Sequence, residues 1–230
     1  MYKDKTILAI ITARGGSKRL KGKNIKLLGD KPLIAWTIEE VKKSKLIDRC
    51  ILSSEDNEII SVSKNYGCEV PFVRPMELSF DNASSADVVL HAVSQVEEYD
   101  YIVLLQPTSP FRNSDDMDGS ISICIDSNAT SIVSVRRIRE RPDWMGFVEH
   151  DGKFQFVFPK TPIKFDELRI LNGAIYVVKC DWFYKAKSFI GDGTMIYEMP
   201  WERSIDIDTM EDFIFAEFLS AQKGIVKNDF

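Results

Sequence analysis

Histidine is nearly missing: His91 and His150 are the only two in a chain of 230 residues. That is too few for a histidine-built metal site. His91 also falls inside a helical pattern, where packing or surface exposure is its ordinary role. Cysteine is scarce as well. Cys50, Cys68, Cys124 and Cys180 lie far apart and form no CxxC pair. Their spacing argues against a zinc site or a disulfide framework and for small core residues in a reducing cytoplasm. No run approaches 18 apolar residues, so no membrane-spanning helix is expected. The apolar run in MYKDKTILAIITARGG leads into Arg and Gly-Gly instead of a small-residue cleavage site, and it reads as a first strand rather than a signal peptide. No linker rich in Pro, Gly and Ser divides the chain, and no internal repeat or low-complexity tract is present. One domain over residues 1–230 is therefore expected. Positive charge is also in deficit, with 30 Lys+Arg against 35 Asp+Glu. A formal charge of −5 excludes a nucleic-acid coat.

Against these gaps stands an ordinary apolar inventory, 44% of residues, in a regular order. ILAIIT (7–12), CILSS (50–54) and YIVLLQ (101–106) read as strands buried on both faces. SIVSVRR (131–137), GAIYVVK (173–179) and MIYEM (195–199) continue the series, and EVPFV (69–73) reads as an edge strand because of Pro71. Helices are expected over 32–45, 56–67, 84–99 and 114–126, with a last one over about 209–222. Serines cap the third of these, and Gly67 ends the second. EHDGKF (149–154) marks a hairpin turn at Asp151-Gly152. The pattern predicts an α/β protein: a Rossmann-like, mostly parallel sheet with helices on both faces. Residues 137–170 break the alternation and read as an irregular insertion on the sugar side or a dimerisation arm.

Three stretches carry candidate chemistry. TARGGSKRLKGKN (12–24) packs five basic residues and three glycines into thirteen positions directly after the first strand. Backbone amides around Gly15 and Gly16 can form an anion nest, and Arg14, Lys18, Lys21 and Lys23 can neutralise a triphosphate. The stretch is neither GxGxxG nor GxxxxGK[ST], so it is neither a dinucleotide fingerprint nor a P-loop. The alternative is a solvated basic turn. In SIDIDTMEDF (204–213), Asp206 and Asp208 are two apart on an extended segment, so both carboxylates face one side. Two hard oxygen donors suit Mg²⁺ shared with substrate phosphates, whereas helix capping explains Asp208 but leaves Asp206 without a role. LLQPTSPFR (104–112) leaves a strand through a turn with two prolines, which holds Gln106, Thr108, Ser109 and Arg112 in place; the alternative is a plain strand-to-helix turn.

TARGGSKRLKGKN, LLQPTSPFR, NGAIY (172–176) and SIDID, in that order and spacing over about 210 residues, resemble the bacterial CMP-sialic acid synthetases, the N-acylneuraminate cytidylyltransferases and related CMP-nonulosonate synthetases. RPMELSFDNASS (74–85) resembles that family's middle segment. The resemblance implies transfer of CMP from CTP to a nine-carbon α-keto acid sugar with release of pyrophosphate, Mg²⁺ as cofactor, and a cytoplasmic homodimer. It further implies CTP contacts at Arg14, Ser17, Lys18, Lys23, Asn24, Arg74 and Ser84, with Arg14, Lys18, Lys23 and Asp208 as the catalytic set. Asp206 and Asp208 match the metal carboxylates, Gln106 a sugar-binding glutamine, and Tyr176 a tyrosine near the sugar. The family often has a basic residue two before the Asn of NGAIY, where this chain has Ile170; Arg169 is the neighbouring candidate for the sugar carboxylate. VRRIRERPDW (135–144) departs from the family pattern.

Other readings start from the same residues. A metal-dependent glycosyltransferase also uses an Asp-x-Asp pair, although usually mid-chain and without a lysine-rich first loop. Another sugar nucleotidyltransferase, acting on an octulosonate or a sugar phosphate, is a second. A nucleotide-sensing module would bind CTP without releasing pyrophosphate.

Overall fold

A computed structural model describes residues 1–157 and 165–222. Strand β1 (Ile7–Thr12) sends Ile7, Ala9 and Ile11 into one core layer and Leu8 and Ile10 into the other. A strand with both faces apolar is stable only between two helical layers. Those layers come from α1 (Leu33–Val41) and α2 (Asn57–Asn65) on the first face and α3 (Ser85–Val93) on the second. Between them in sequence lie the short hairpin β2 (Leu27–Leu28) and β3 (Lys31–Pro32), then β4 (Arg49–Ser53), and after α3 the apolar β5 (Tyr101–Leu105).

The second half adds α4 (Ser114–Asp126), β6 (Ser131–Arg137), the hairpin β7 (Gly146–Val148) and β8 (Phe154–Phe156), then β9 (Arg169–Lys179), α5 (Cys180–Ala186), β10 (Thr194–Glu198) and α6 (Met210–Gln222). Helix α4 joins the first layer through Met117 and Ile121, and α5 joins the second through Phe183. The main sheet has six strands in the order β10-β6-β9-β5-β1-β4. All neighbours in it are parallel except at β9, which runs against both β5 and β6. This is the expected α/β architecture, and the reversal at β9 has a consequence for the site: its amino end lies beside the carboxyl end of β5.

Three local expectations are corrected. EVPFV is not a strand; only the bridge between Ile51 and Glu69 forms, because Pro71 has no N–H to continue it and the chain turns so that the Arg74 amide reaches the Ser54 carbonyl. The helices expected over 32–45 and 84–99 stop at Val41 and Val93, where polar residues replace the apolar stripe. Helix α5 was not anticipated: its seven residues are too few to show a helical period. Cys68, Cys124 and Cys180 are buried free thiols and Cys50 is half-buried, so they serve as core residues. Within 137–170, the Asp151-Gly152 turn closes the β7–β8 hairpin as predicted, and residues 158–164 lie outside the described residues.

Candidate active site at the carboxyl ends of the strands

The carboxyl ends of β4, β1 and β5 and the amino end of β9 open onto one edge of the sheet, where ligands collect in open α/β folds. Loops from these ends line a cleft of about 560 Å³. Arg14, Ser17, Lys18, Lys23, Asn24, Arg74, Gln106, Asp206 and Asp208 all line it, although they span the chain from end to end. Five basic and three acidic side chains face this space in a protein whose net charge is −5. The excess is local, and it favours an anion.

The first loop is tied down at both ends. Leu20 is buried with Leu28, Leu33 and Phe111, which pins the middle of the basic stretch to an apolar cluster. The Asn24 side-chain amide donates to the Arg14 carbonyl at 3.0 Å and closes the loop. Around that anchor, Arg14 (2.9 Å) and Lys18 pair with Asp81, while Arg19 (2.7 Å) and Lys23 (3.0 Å) pair with Asp208. Two expectations change. Lys21 is not among the cleft residues, and Arg19 is. The Gly15 and Ser17 amides are not open to a ligand: Gly15 donates to Glu55 Oε1 at 2.8 Å, and Ser17 to the Gly15 carbonyl at 2.9 Å.

Asp56 explains why Gly15 is glycine. A Cβ there would lie 2.2 Å from Asp56 Oδ2, and Asp56 is held as the cap of α2 by the amides of Glu58 and Ile59, both at 2.9 Å. Burial alone would raise the Glu55 carboxyl, but hydrogen bonds from the Arg74 guanidinium (2.5 Å) and the Gly15 amide outweigh it, and its pKa is lowered. Arg74 is itself buried. It donates to the Ala13 carbonyl at 3.1 Å and to Ser79 Oγ at 3.2 Å, so it forms a rigid wall of the cleft. Ser84 is not among the cleft residues; its hydroxyl caps α3, accepting from the Asp87 amide at 3.0 Å, and its neighbour Ser85 lines the cleft instead.

The SIDID segment is extended, and its alternation is visible in burial. Ile205 and Ile207 enter the cluster around Phe213, while Asp206 and Asp208 face the cleft. The Ile207 amide donates to the Thr108 carbonyl at 2.8 Å, and its carbonyl accepts from Lys23 Nζ at 2.7 Å. One backbone unit therefore locks the first loop and the β5 turn to the carboxylate pair. Arg203, just upstream, makes a two-pronged pair with buried Asp116 at 2.8 and 2.9 Å, fixing the segment to the start of α4.

Asp206 opens to the cleft, but protein crowds it. Burial pushes its carboxyl above the ordinary range, and the nearby Asp208 charge adds to the push against a hydrogen bond from Thr108. Two carboxylates held at like charge are relieved by a cation. Among the described residues no cluster of three or more His, Cys, Asp or Glu could hold a metal. The donor set is thus two carboxylates, which fits an ion such as Mg²⁺ that completes its shell with phosphate oxygens and water.

A second cavity of about 520 Å³ adjoins the first, and Gln106 and Asp206 line both. The amino end of β9 forms its wall. Gly173 has φ +71°, and a Cβ there would lie 3.1 Å from Gln106 Oε1 and 3.6 Å from Asp206 Oδ2. Only glycine keeps both the backbone conformation and the room for Gln106. Buried Asn172 donates to Ser204 Oγ at 2.9 Å and accepts from Ser134 Oγ at 2.6 Å, joining NGAIY to SIDID and to β6. Tyr176 lines the same cavity; burial and the Asp206 charge raise its phenol pKa, so it stays an O–H donor. Arg169 lines neither cavity. It is turned to Glu198 at 2.6 Å and to the carbonyls of Asp166 and Leu168 at 2.7 and 3.0 Å, which corrects its expected place at the sugar.

Several supports escaped the sequence reading: Arg19, Glu55, Asp81, Asp116 and Arg203. Each is a charged residue whose partner lies 19 to 189 positions away, so no local pattern marks it. Arg112 was noticed as part of the QPTSPFR turn but not for its burial. It is 1% exposed, and its guanidinium binds the carbonyls of Gln106 (3.0 Å) and Ala174 (2.7 Å) and the Thr37 hydroxyl.

With this geometry in place, comparison with known proteins is specific. The chain is 34% identical over 227 residues to the CMP-N,N'-diacetyllegionaminic acid synthase of Legionella pneumophila, covering 93% of this chain and 95% of that one. It is 32% identical over 222 residues to a pseudaminic acid cytidylyltransferase of Campylobacter jejuni, covering 92% and 95%. An N-acylneuraminate cytidylyltransferase of Escherichia coli is 32% identical over 231 residues, but the match takes in 54% of that longer protein, about half its length. In fold the chain is similar to a CMP:2-keto-3-deoxy-manno-octonic acid synthetase complexed with CTP, with TM-score 0.72 at 18% identity over 95% of this chain and all of that one. The sequence model of one family, described as cytidylyltransferase, matches residues 8–167, from the first strand through the cleft-lining turns. The chain belongs to the cytidylyltransferase family.

Proposed function

We propose that the protein transfers CMP from CTP to a nine-carbon α-keto acid sugar, releasing pyrophosphate. The observation that carries this reading is the meeting of two cavities at Gln106 and Asp206, one ringed by cations and one not. Relatives named for sialic, legionaminic and pseudaminic acids support a nonulosonate as the acceptor.

The triphosphate takes the larger cleft. Its oxygens replace Asp81 as partner of Arg14 and Lys18, which then hold the β- and γ-phosphates. Lys23, mostly buried and anchored on the Ile207 carbonyl, lies where charge builds on the α-phosphate. Asp206 and Asp208 would hold Mg²⁺, and the ion would supply charge neutralisation of the phosphate oxygens. The acceptor lies in the second cavity against Gln106 and the Tyr176 hydroxyl, with its anomeric hydroxyl toward the junction. Attack of that oxygen, with its proton released to solvent, forms the new P–O bond at the α-phosphorus and breaks the bond from that phosphorus to the α,β-bridging oxygen, so pyrophosphate leaves. The protein's part is positioning and electrostatic stabilisation.

The same reading includes one domain over 1–230 and a cytoplasmic homodimer. The 137–170 region is its contact arm, supported by exposed Phe147, Phe154 and Phe156 on the β7–β8 hairpin. No helix among the described residues is long and apolar enough to cross a membrane.

Turnover with and without Mg²⁺, in the wild type and in Asp208→Asn, tests the site. Asp208→Asn removes nearly all Mg²⁺-dependent formation of CMP-sugar while the circular dichroism spectrum is unchanged. Activity within a few-fold of wild type would remove Asp208 from the metal site.

A further inference from the structure

VRRIRERPDW concentrates four arginines in ten residues, and the structure sorts them by partner. Arg137 pairs with Glu198 at 2.9 Å. Arg139 lies over the Trp201 ring at 4.2 Å. Arg141 pairs with Asp143 at 2.5 Å. Arg136 has no carboxylate partner among the described residues. Its guanidinium donates one hydrogen bond, to the Arg137 carbonyl at 3.2 Å.

Among the described residues, Arg136 is also the one Lys or Arg lining the cavity of Gln106 and Tyr176. It sits on β6 opposite Ile170 of β9, two residues before Asn172. Arg169, the other basic residue at this end of β9, is held by Glu198 outside the cavity. The remaining ionised groups facing this space, among the described residues, are Asp206 and Asp212. Asp212 is occupied by the amides of Asp208 and Thr209, at 3.0 and 2.8 Å. A half-buried guanidinium with unused donors, in a cavity lined otherwise by two carboxylates and by neutral polar and apolar side chains, is a place for an anion.

We propose that Arg136 binds the carboxylate of the acceptor and makes this cavity select sugar acids over neutral sugars. The proposal rests on the cytidylyl-transfer reading above. An α-keto acid sugar carries its carboxylate on the same carbon as the anomeric hydroxyl. A clamp on that group therefore fixes the attacking oxygen relative to the α-phosphorus, which is a specificity role and a positioning role together.

The test uses the full-length enzyme, CTP and two probes: the acid turned over fastest among N-acetylneuraminic, N,N'-diacetyllegionaminic and pseudaminic acids, and the methyl ester of that acid. Arg136→Ala raises KM for the acid by about 10- to 150-fold, the range for a lost hydrogen bond to a charged group. It leaves KM for CTP within about two-fold, and the wild-type preference for acid over ester collapses. Arg136→Lys recovers part of that preference. An unchanged acid KM in Arg136→Ala overturns the proposal. So does an equal loss for acid and ester, which marks packing, or a loss of the preference in Arg169→Ala instead. Wild-type enzyme that turns over none of the three acids overturns the cytidylyl-transfer reading and this proposal with it. That outcome is read before any variant is made.

Discussion

Asp206 shows at the scale of one residue what the site costs the fold. Its carboxyl is raised in the folded protein by burial and by Asp208, so the folded state holds that proton more tightly than the unfolded chain does. The sign follows from linkage: stability falls as pH rises through the unfolded pKa toward the raised one, and the full penalty stands at neutral pH. Asp206→Asn keeps an acceptor for Thr108 and removes the charge. The variant is therefore more stable than the metal-free wild type at pH 7, and the gain vanishes near pH 3. The gain is read as a higher Tm for the variant at pH 7. Thermal unfolding in chelator at the two pH values measures it; a lower Tm at pH 7 contradicts the account. Turnover by the same variant falls, because the charge that strains the fold is the one that meets the substrate.

The elements are joined at the site by a few buried polar side chains. Arg112 is the clearest case. Burial lowers its pKa to about 10, and it stays charged at neutral pH while holding the β5 turn against β9 and α1. Arg112→Met fills similar space but leaves two carbonyls and a hydroxyl without their donor. A loss of at least about 2 kcal/mol in urea unfolding is expected, with Gln106 displaced and acceptor KM raised. Stability within about 0.5 kcal/mol of wild type contradicts this role.

Legibility in the sequence follows the same division. ILAIIT and YIVLLQ were readable because a strand buried on both faces needs an unbroken apolar run. SIDID was readable because alternation places both carboxylates on one side. EVPFV was misread because its composition suits a strand, while the Arg74–Glu55 pair that draws the chain away joins residues 19 apart. Arg169 was misplaced for a similar reason: only the structure brings Glu198 beside it. The Gly15 amide looked open because nothing nearby in sequence names Glu55, 40 positions on, as its acceptor.

For the whole molecule, the β7–β8 hairpin leaves Phe147, Phe154 and Phe156 more than half exposed, beside Trp144 at 68%. An apolar patch of this kind on a small arm is costly in water unless something covers it. In the homodimer proposed above, sedimentation velocity gives a species of twice the 26.3 kDa chain mass. Phe147→Asp with Phe156→Asp shifts it to the single-chain mass. A wild-type protein that sediments as one chain at micromolar concentration contradicts the dimer without touching the chemistry.

The chemistry has its own decisive measurement: pyrophosphate release from CTP and Mg²⁺, with product mass, on adding N-acetylneuraminic, N,N'-diacetyllegionaminic, pseudaminic and 3-deoxy-octulosonic acids in turn. The account predicts release matched by a CMP-sugar with at least one of the nine-carbon acids and little with the eight-carbon one. Folded protein that releases pyrophosphate with none of the nine-carbon acids, or with the octulosonate alone, contradicts it.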